Sequence, residues 1–263
     1  MSLPVEIRAV TVSGPPTDAD LVATATFDHD TDAVREWALG TVGNAEEDVG
    51  RSALLFADVR DRIRYDPYAI DLRPEAFAAS ATLSSERSWC VPKAILLVAG
   101  ARAVGIPARI GFADVRNHLS SEKLRERMGS DLFVFHGYAS LHVGGKWLKA
   151  SPAFNAGLCE RFGVPPLEFD GSADALLHAY DGEGRRHMEY VNDHGTRTGV
   201  PLQEMYEAFR ANYAHGQAAA EYAPRADPVF DAAPATCALE DPFERRRLER
   251  AAGRPGGVDD QLV

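Results

Sequence analysis

The segment that most restricts how this chain can fold begins at Cys90 and runs to Val104. Val91, Ala94, Ile95, Leu96, Leu97, Val98 and Ala101 make it apolar on most sides. A helix that is apolar all round has to be buried, so the rest of the chain must be built around it. Pro92 falls in its first turn, where a missing N–H costs nothing. Gly105 ends the helix and Pro107 prevents its continuation.

Before this helix, residues 3–27 alternate weakly around Gly14-Pro15-Pro16 and are expected to form one or two strands about a turn. Asp30 or Thr31 can cap a helix running through Val34, Trp37 and Ala38 towards Gly43. Glu46 and Glu47 favour the start of a second, with Leu54, Leu55, Val59 and Ile63 at helical spacing and an end near Tyr65-Asp66-Pro67. Residues 72–87 are less regular. After the buried helix, strands are expected at 108–115, 132–143 and 146–150, the last two joined by the hairpin signal Gly144-Gly145. Residues 120–128 read as a short exposed charged helix. Residues 163–170 and 188–191 are further strand candidates, and 202–213 form a helix with Met205, Tyr206 and Phe209 on one side. Helices first, then hairpin-linked strands, indicate an α+β fold rather than a doubly wound sheet. Residues 1–222 are expected to form one domain and 223–263, rich in Ala, Pro, Arg, Asp and Gly, a loosely attached or disordered tail.

A formal net charge of −11 opposes general nucleic-acid binding, which needs a basic surface. The longest apolar run, residues 94–99, is far too short for a membrane span, and residues 1–16 lack a signal-peptide pattern. The three cysteines, Cys90, Cys159 and Cys237, form no CxxC pair, so a reduced, cytoplasmic chain is expected.

Cys90 opens the buried helix, where a helix N-terminus lowers a thiol's pKa, and Arg87 and Lys93 place positive charge nearby in sequence. A lone cysteine there is more often a small buried hydrophobe. The hairpin that follows supplies context. It places His136 and His142 six residues apart on one strand, 46 and 52 residues after Cys90. A cysteine on a helix end and a histidine on a strand are the parts of a nucleophilic thiol site. His178, His187 and His194 lack the spacing of a metal motif, and solvated loop histidines are the expected reading. Arg185 and Arg186 could meet a substrate carboxylate, although a solvated loop is their default role.

At these residues the chain resembles the transglutaminase-like superfamily, within the papain-like cysteine-peptidase fold. The resemblance rests on Cys90-Val91-Pro92-Lys93-Ala94 leading into Gly105-Ile106-Pro107-Ala108-Arg109. It continues in His136, Tyr138, Trp147 and Ser151-Pro152, with Trp147 eleven and Ser151 fifteen residues after His136. It implies a papain-like core in which the nucleophile helix packs on an antiparallel sheet, Cys90 as nucleophile and His136, not His142, as its base. The implied chemistry is thiol-dependent acyl transfer from an amide through a thioester, with a peptidase or amidase favoured and amine transfer second. Neither metal nor other cofactor is implied; the expected partner is a peptide or small amide. Two positions depart from the family pattern: Ser140 stands where it has an acid and Ser151 where it has the aspartate that orients the histidine. A neutral third member is known chemistry, since Cys-His-Asn sites work. Asn155 is the best substitute, and Asp114 and Asp131 are weaker ones. Trp89 and Tyr138 are candidates for substrate or oxyanion contacts. The serine at 151 also keeps open an alternative, a binding or scaffold protein that retained the fold and lost the chemistry.

Overall fold

The computed structural model describes residues 11–213. The expected tail at 223–263, and residues 3–10 of the expected N-terminal strands, lie outside the described residues. In chain order the elements are β1 (Thr11–Val12), α1 (Asp32–Val42), α2 (Asp48–Arg62), β2 (Arg64–Tyr65), α3 (Ala79–Leu83), β3 (Arg87–Ser88) and α4 (Cys90–Ala103). Then come β4 (Ala108–Asn117), α5 (Glu122–Met128), β5 (Leu132–Val143), β6 (Lys146–Ala150), α6 (Ala156–Phe162), β7 (Met188–Arg197) and α7 (Leu202–Asn212). Five strands form one sheet in the order β1-β7-β4-β5-β6, every neighbouring pair antiparallel. β2 and β3 make a separate small parallel pair.

The sequence of α4 dictates the assembly. Every residue from Cys90 to Arg102 is buried. The sheet takes one side of α4 through β5, and α1, α2 and α3 pack on the rest. Close packing is made possible by Gly100, where an added Cβ would come within 2.8 Å of the Trp37 ring on α1. The one cation in the middle of this apolar surface, Lys93, is fully buried. Its Nζ donates to the carbonyls of Arg60 (2.9 Å) and Ile63, at the C-terminal end of α2. Those carbonyls are among the groups a helix end leaves without intrahelical partners. Burial pushes the Lys93 ammonium down to about 7.

The Gly105-Ile106-Pro107-Ala108-Arg109 run carries α4 into β4 and fastens the N-terminal segment. Arg102 Nε and a terminal guanidinium nitrogen donate to Ala108 O, while the other reaches Val22 O at 2.7 Å. Arg109 makes two 2.8 Å bonds to the Asp20 carboxylate and stacks 4.0 Å from the Trp147 ring. Burial alone would raise the Asp20 carboxyl, but Arg109 and the Thr17 N–H outweigh it and hold the group below its usual range.

Several expectations differ from this structure. Among the described residues, the N-terminal region contributes only the two-residue β1, because Val22–Phe27 is held by side-chain bonds such as Arg102 to Val22 O rather than by a ladder. Residues 163–170 form no strand: Gly163 is the left-handed cap (φ 64°) of α6, a helix too short to show an apolar period. The 120–128 helix is not wholly exposed. Leu124 and Met128 on α5 are buried. β7 extends to Arg197, six residues beyond the expected end at 191.

The Arg109–Asp20 pair has both side chains at 3% exposure or less. Asp20→Ala leaves a buried guanidinium without its counter-ion, and should lower unfolding free energy by about 3–5 kcal/mol. Urea denaturation of the two chains measures this.

Candidate active site

Two close approaches create the site. The first is between β5 and the start of α4: a Cβ on Gly137 would lie 2.8 Å from Val91 Cα. Only glycine lets strand and helix meet at that distance. Gly137 follows His136 and Val91 follows Cys90, so the contact brings the two candidates to one cleft. That cleft is lined by both of them together with Trp89, Tyr65, Tyr68, Leu124, Phe209 and Tyr213 among others. The second is the β5–β6 hairpin. Ala139 faces Ala150, so Ser151 falls diagonally across from His136. His136 Nε2 lies 3.2 Å from Ser151 Oγ. The fifteen-residue spacing in the sequence is this hairpin register. Ser151 is itself held by a bond from its N–H to Ala175 O at 2.9 Å.

Burial controls the electrostatics. Cys90 is 7% exposed and His136 4%. Burial pushes the Cys90 thiol up to about 11, although the backbone N–H groups of Gly137, Val91 and Cys90 act in the other direction and favour the thiolate. The expected helix-start effect is therefore present and outweighed. The charges expected to assist are engaged elsewhere: Lys93 turns to the end of α2, and Arg87 bonds Asp66 Oδ2 at 3.1 Å. Burial also pushes the His136 imidazole down to about 4. At neutral pH the pair rests as thiol and neutral imidazole, not as an ion pair.

The other candidates separate. Asn155 does not meet His136. It precedes α6, and its Oδ1 accepts from Tyr65 N–H at 3.1 Å, tying the end of β2 to that helix. Tyr138 does not line the cleft; its ring lies over Gly111 and its hydroxyl donates to Asp193 at 2.9 Å. Trp89 does line it, edge-on to Phe77 and tilted against Phe209. His142 packs on Trp147 in the hairpin. Asp131 pairs loosely with Arg116 at 3.9 Å, and Asp114 contacts Phe135 and His194 rather than His136. Arg185 and Arg186 pair with acids of their own region, Asp181 and Glu189. His178 bonds Pro165 O, His187 is enclosed by Phe154 and Phe162, and His194 bonds Asp114. Among the described residues no group of three or more could hold a metal ion.

Two contributors were not singled out as site residues by the sequence. Tyr190 of β7 presents its ring edge-on to His136, with centroids 6.5 Å apart. The apolar sides of α5 and α7 supply Leu124, Met128 and Phe209 to the cleft wall.

Residues 35–152, which hold Cys90, His136 and Ser151, match the transglutaminase-like superfamily. Among solved structures it is similar to a "Putative Cysteine Protease from Cytophaga hutchinsonii", with 17% identity and a TM-score of 0.41, over 73% of this chain and 57% of that one. It is also similar to a "putative protease from Parabacteroides distasonis", with 15% identity and a TM-score of 0.33, over 58% of this chain and 30% of that one. The chain therefore spans less than two thirds of the length of either. No curated protein matches it. Among the described residues no helix is long and apolar enough to cross a membrane.

Gly137→Ala forces β5 and α4 apart at the point where Cys90 and His136 meet. It should cost about 1–3 kcal/mol in stability, and slow alkylation of Cys90 by more than the loss of folded protein explains. Rates measured well below the melting temperature separate the two effects. His136 gives a pH test. An unfolded histidine gains a proton near pH 6.5, and the buried one does so only near 4. The unfolded state therefore binds more protons in that window. Stability is complete above pH 6.5 and falls as the pH drops towards 4, by on the order of 3 kcal/mol from this group. His136→Gln should flatten that part of the stability–pH curve.

Proposed function

We propose that this protein is a thiol-dependent amide hydrolase of the transglutaminase-like type, with Cys90 as nucleophile, His136 as base and Ser151 as the group that orients the base. The observation that carries this is the shared cleft of Cys90 and His136, with Ser151 Oγ on His136 Nε2. The Cys90 thiol attacks the amide carbonyl carbon as its proton passes to His136. The proton then goes to the leaving amine and a thioester remains. Water, deprotonated by His136, releases the acid; an amine acceptor in place of water gives transamidation instead. Backbone N–H groups of the first turn of α4 would meet the oxyanion.

Ser151 accepts or donates one hydrogen bond to His136 and carries no charge, so it fixes the ring without stabilising imidazolium. The reaction starts from the neutral pair, and His136 stays competent as a base well below pH 6.5. The wall beside Cys90 favours an apolar acyl group: Pro67, Tyr68, Ile70, Met128, Phe133 and Val134 line it, with Arg127 as the only permanent cation among the described residues. Burying a charged substrate side chain there costs desolvation with little return.

A peptide-amide panel tests this. Turnover should be at least tenfold faster for apolar than for acidic acyl residues, absent in Cys90→Ala, and flat in kcat/KM from pH 8 down to about 5. Turnover that survives in Cys90→Ala sinks the proposal. The uncharged Ser151 and the raised Cys90 thiol favour a second reading, a binding protein. Apolar peptide that binds with equal affinity to wild type and Cys90→Ala, with no turnover of any amide or ester in the panel, would establish that one instead.

A further inference from the structure

β4 is flanked by β5 and β7, and both neighbours are irregular at the same place. Ala113 faces His136 and Val115 faces Phe133, so β5 spends three residues where β4 spends two. On the other side Phe112 faces Gly195 and Ala113 faces Asp193, which leaves His194 as one extra residue of β7; Asp114 then faces Asn192 and Val115 faces Tyr190, which leaves Val191 as a second. Asp114 sits between the β5 bulge and the His194 bulge of β7 and bonds to both. Its Oδ1 accepts from the Phe135 N–H at 3.1 Å and from His194 Nε2 at 2.8 Å. Its Oδ2 accepts from Asn192 Nδ2 at 3.3 Å. The Phe135 and His194 rings stack, with centroids 4.5 Å apart and planes 12° apart.

Phe135 is the only non-glycine residue with positive φ among the described residues, at 55°. A side-chain-bearing residue holds that conformation only when its surroundings enforce it. Here they are the Asp114 carboxylate on its N–H and the His194 ring on its face. The next residue is His136. A bulge changes where the following side chain points, and bulges occur beside active sites for that reason.

The geometry points to Asp114 as a positioning residue for the proposed base: with His194 it clamps Phe135 in its left-handed conformation and so aims the His136 ring at Cys90 and Ser151. Asp114 touches neither ring nitrogen of His136; it acts through the backbone. This rests on the base role proposed for His136. It places a carboxylate in support of the histidine from the strand before it, where the family's aspartate would lie in the strand after.

The test uses the full chain and two readouts. Ring-nitrogen NMR signals of His136, assigned by their loss in His136→Gln, report its placement. The rate of Cys90 alkylation by iodoacetamide reports its use. Asp114→Ala should shift the His136 ring signals and slow alkylation at least tenfold at temperatures where the protein stays folded. Asp114→Asn, which keeps an acceptor for the Phe135 N–H, should stay within about threefold of wild type. Adding Phe135→Gly to Asp114→Ala should recover part of the rate, since glycine holds positive φ without a clamp. If Asp114→Ala does not fold, His194→Ala, at a part-exposed site, should show the same signal shift at smaller size. Unchanged His136 ring signals in the folded variant overturn the inference. If His136→Gln leaves Cys90 alkylation unchanged, the base role has failed instead, and the ring signals alone decide whether Asp114 sets the ring.

Discussion

At Gly137 strand β5 approaches the first turn of α4 so closely that only a residue without a side chain fits between them. The helix is apolar all round and must be covered, and β5 is the element that covers the face beside its N-terminus. A side chain at 137 would collide with Val91 Cα, so the approach depends on a residue without one. Cys90 and His136 each precede one partner of this contact. Their proximity is thus a by-product of packing a buried helix on a sheet, and needs no direct bond between sulfur and imidazole. Energy from apolar burial, spread over the whole helix, holds the two polar groups in place.

The same burial sets the character of the chemistry. Removing a thiol and an imidazole from water disfavours thiolate and imidazolium alike, and moves their titrations apart, to about 11 and about 4. A carboxylate on His136 would oppose this by stabilising the cation. Serine at 151 does not. The helix start and the N–H of Gly137 still favour negative charge at sulfur. These N–H groups partly offset the cost of charge at the Cys90 sulfur, whereas burial acts unopposed at the His136 ring. The proposed reaction depends more on alignment of the neutral imidazole than one built on an ion pair, because in it the proton must move as the new bond forms.

Much of this was legible in the chain. β5 and β6 begin and end where the hydrophobic alternation and Gly144-Gly145 place them. α4 opens at Cys90 because Pro92 tolerates only a first turn, and the pairing of Ser151 with His136 follows from hairpin register, which sequence spacing encodes directly. What escaped has a common cause. The conformation of Phe135, the bulge at His194 and the engagement of Lys93 with α2 depend on which distant segments become neighbours. Local composition carries no record of that. Asn155 illustrates the limit: its residue type and distance from Ser151 suited a third catalytic member, but a turn after Pro152 delivers it to Tyr65. The upward shift of the Cys90 thiol escaped for a different reason. Position on a helix is visible in a sequence, whereas depth of burial is a property of everything packed around it.

The irregularities of the sheet are confined to one stretch. From Ala108 to Ala113, β4 pairs with β5 residue for residue, and the ladder breaks only at Asp114. A sheet that merely had to cover α4 would gain from continuing that ladder, since each break leaves backbone groups to be satisfied otherwise. Here the Asp114 carboxylate takes the backbone N–H of the residue before His136 on one side, and on the other it bonds the ring of His194. Regular packing brings the histidine near the cysteine, and the break then determines its direction. The two functions are separable in space, because the Gly137 contact lies after His136 and the Asp114 clamp before it. His136 is held from both sides along its own strand and from Ser151 across the hairpin. Three supports of different kinds, steric, electrostatic and hydrogen-bonding, thereby converge on one neutral ring.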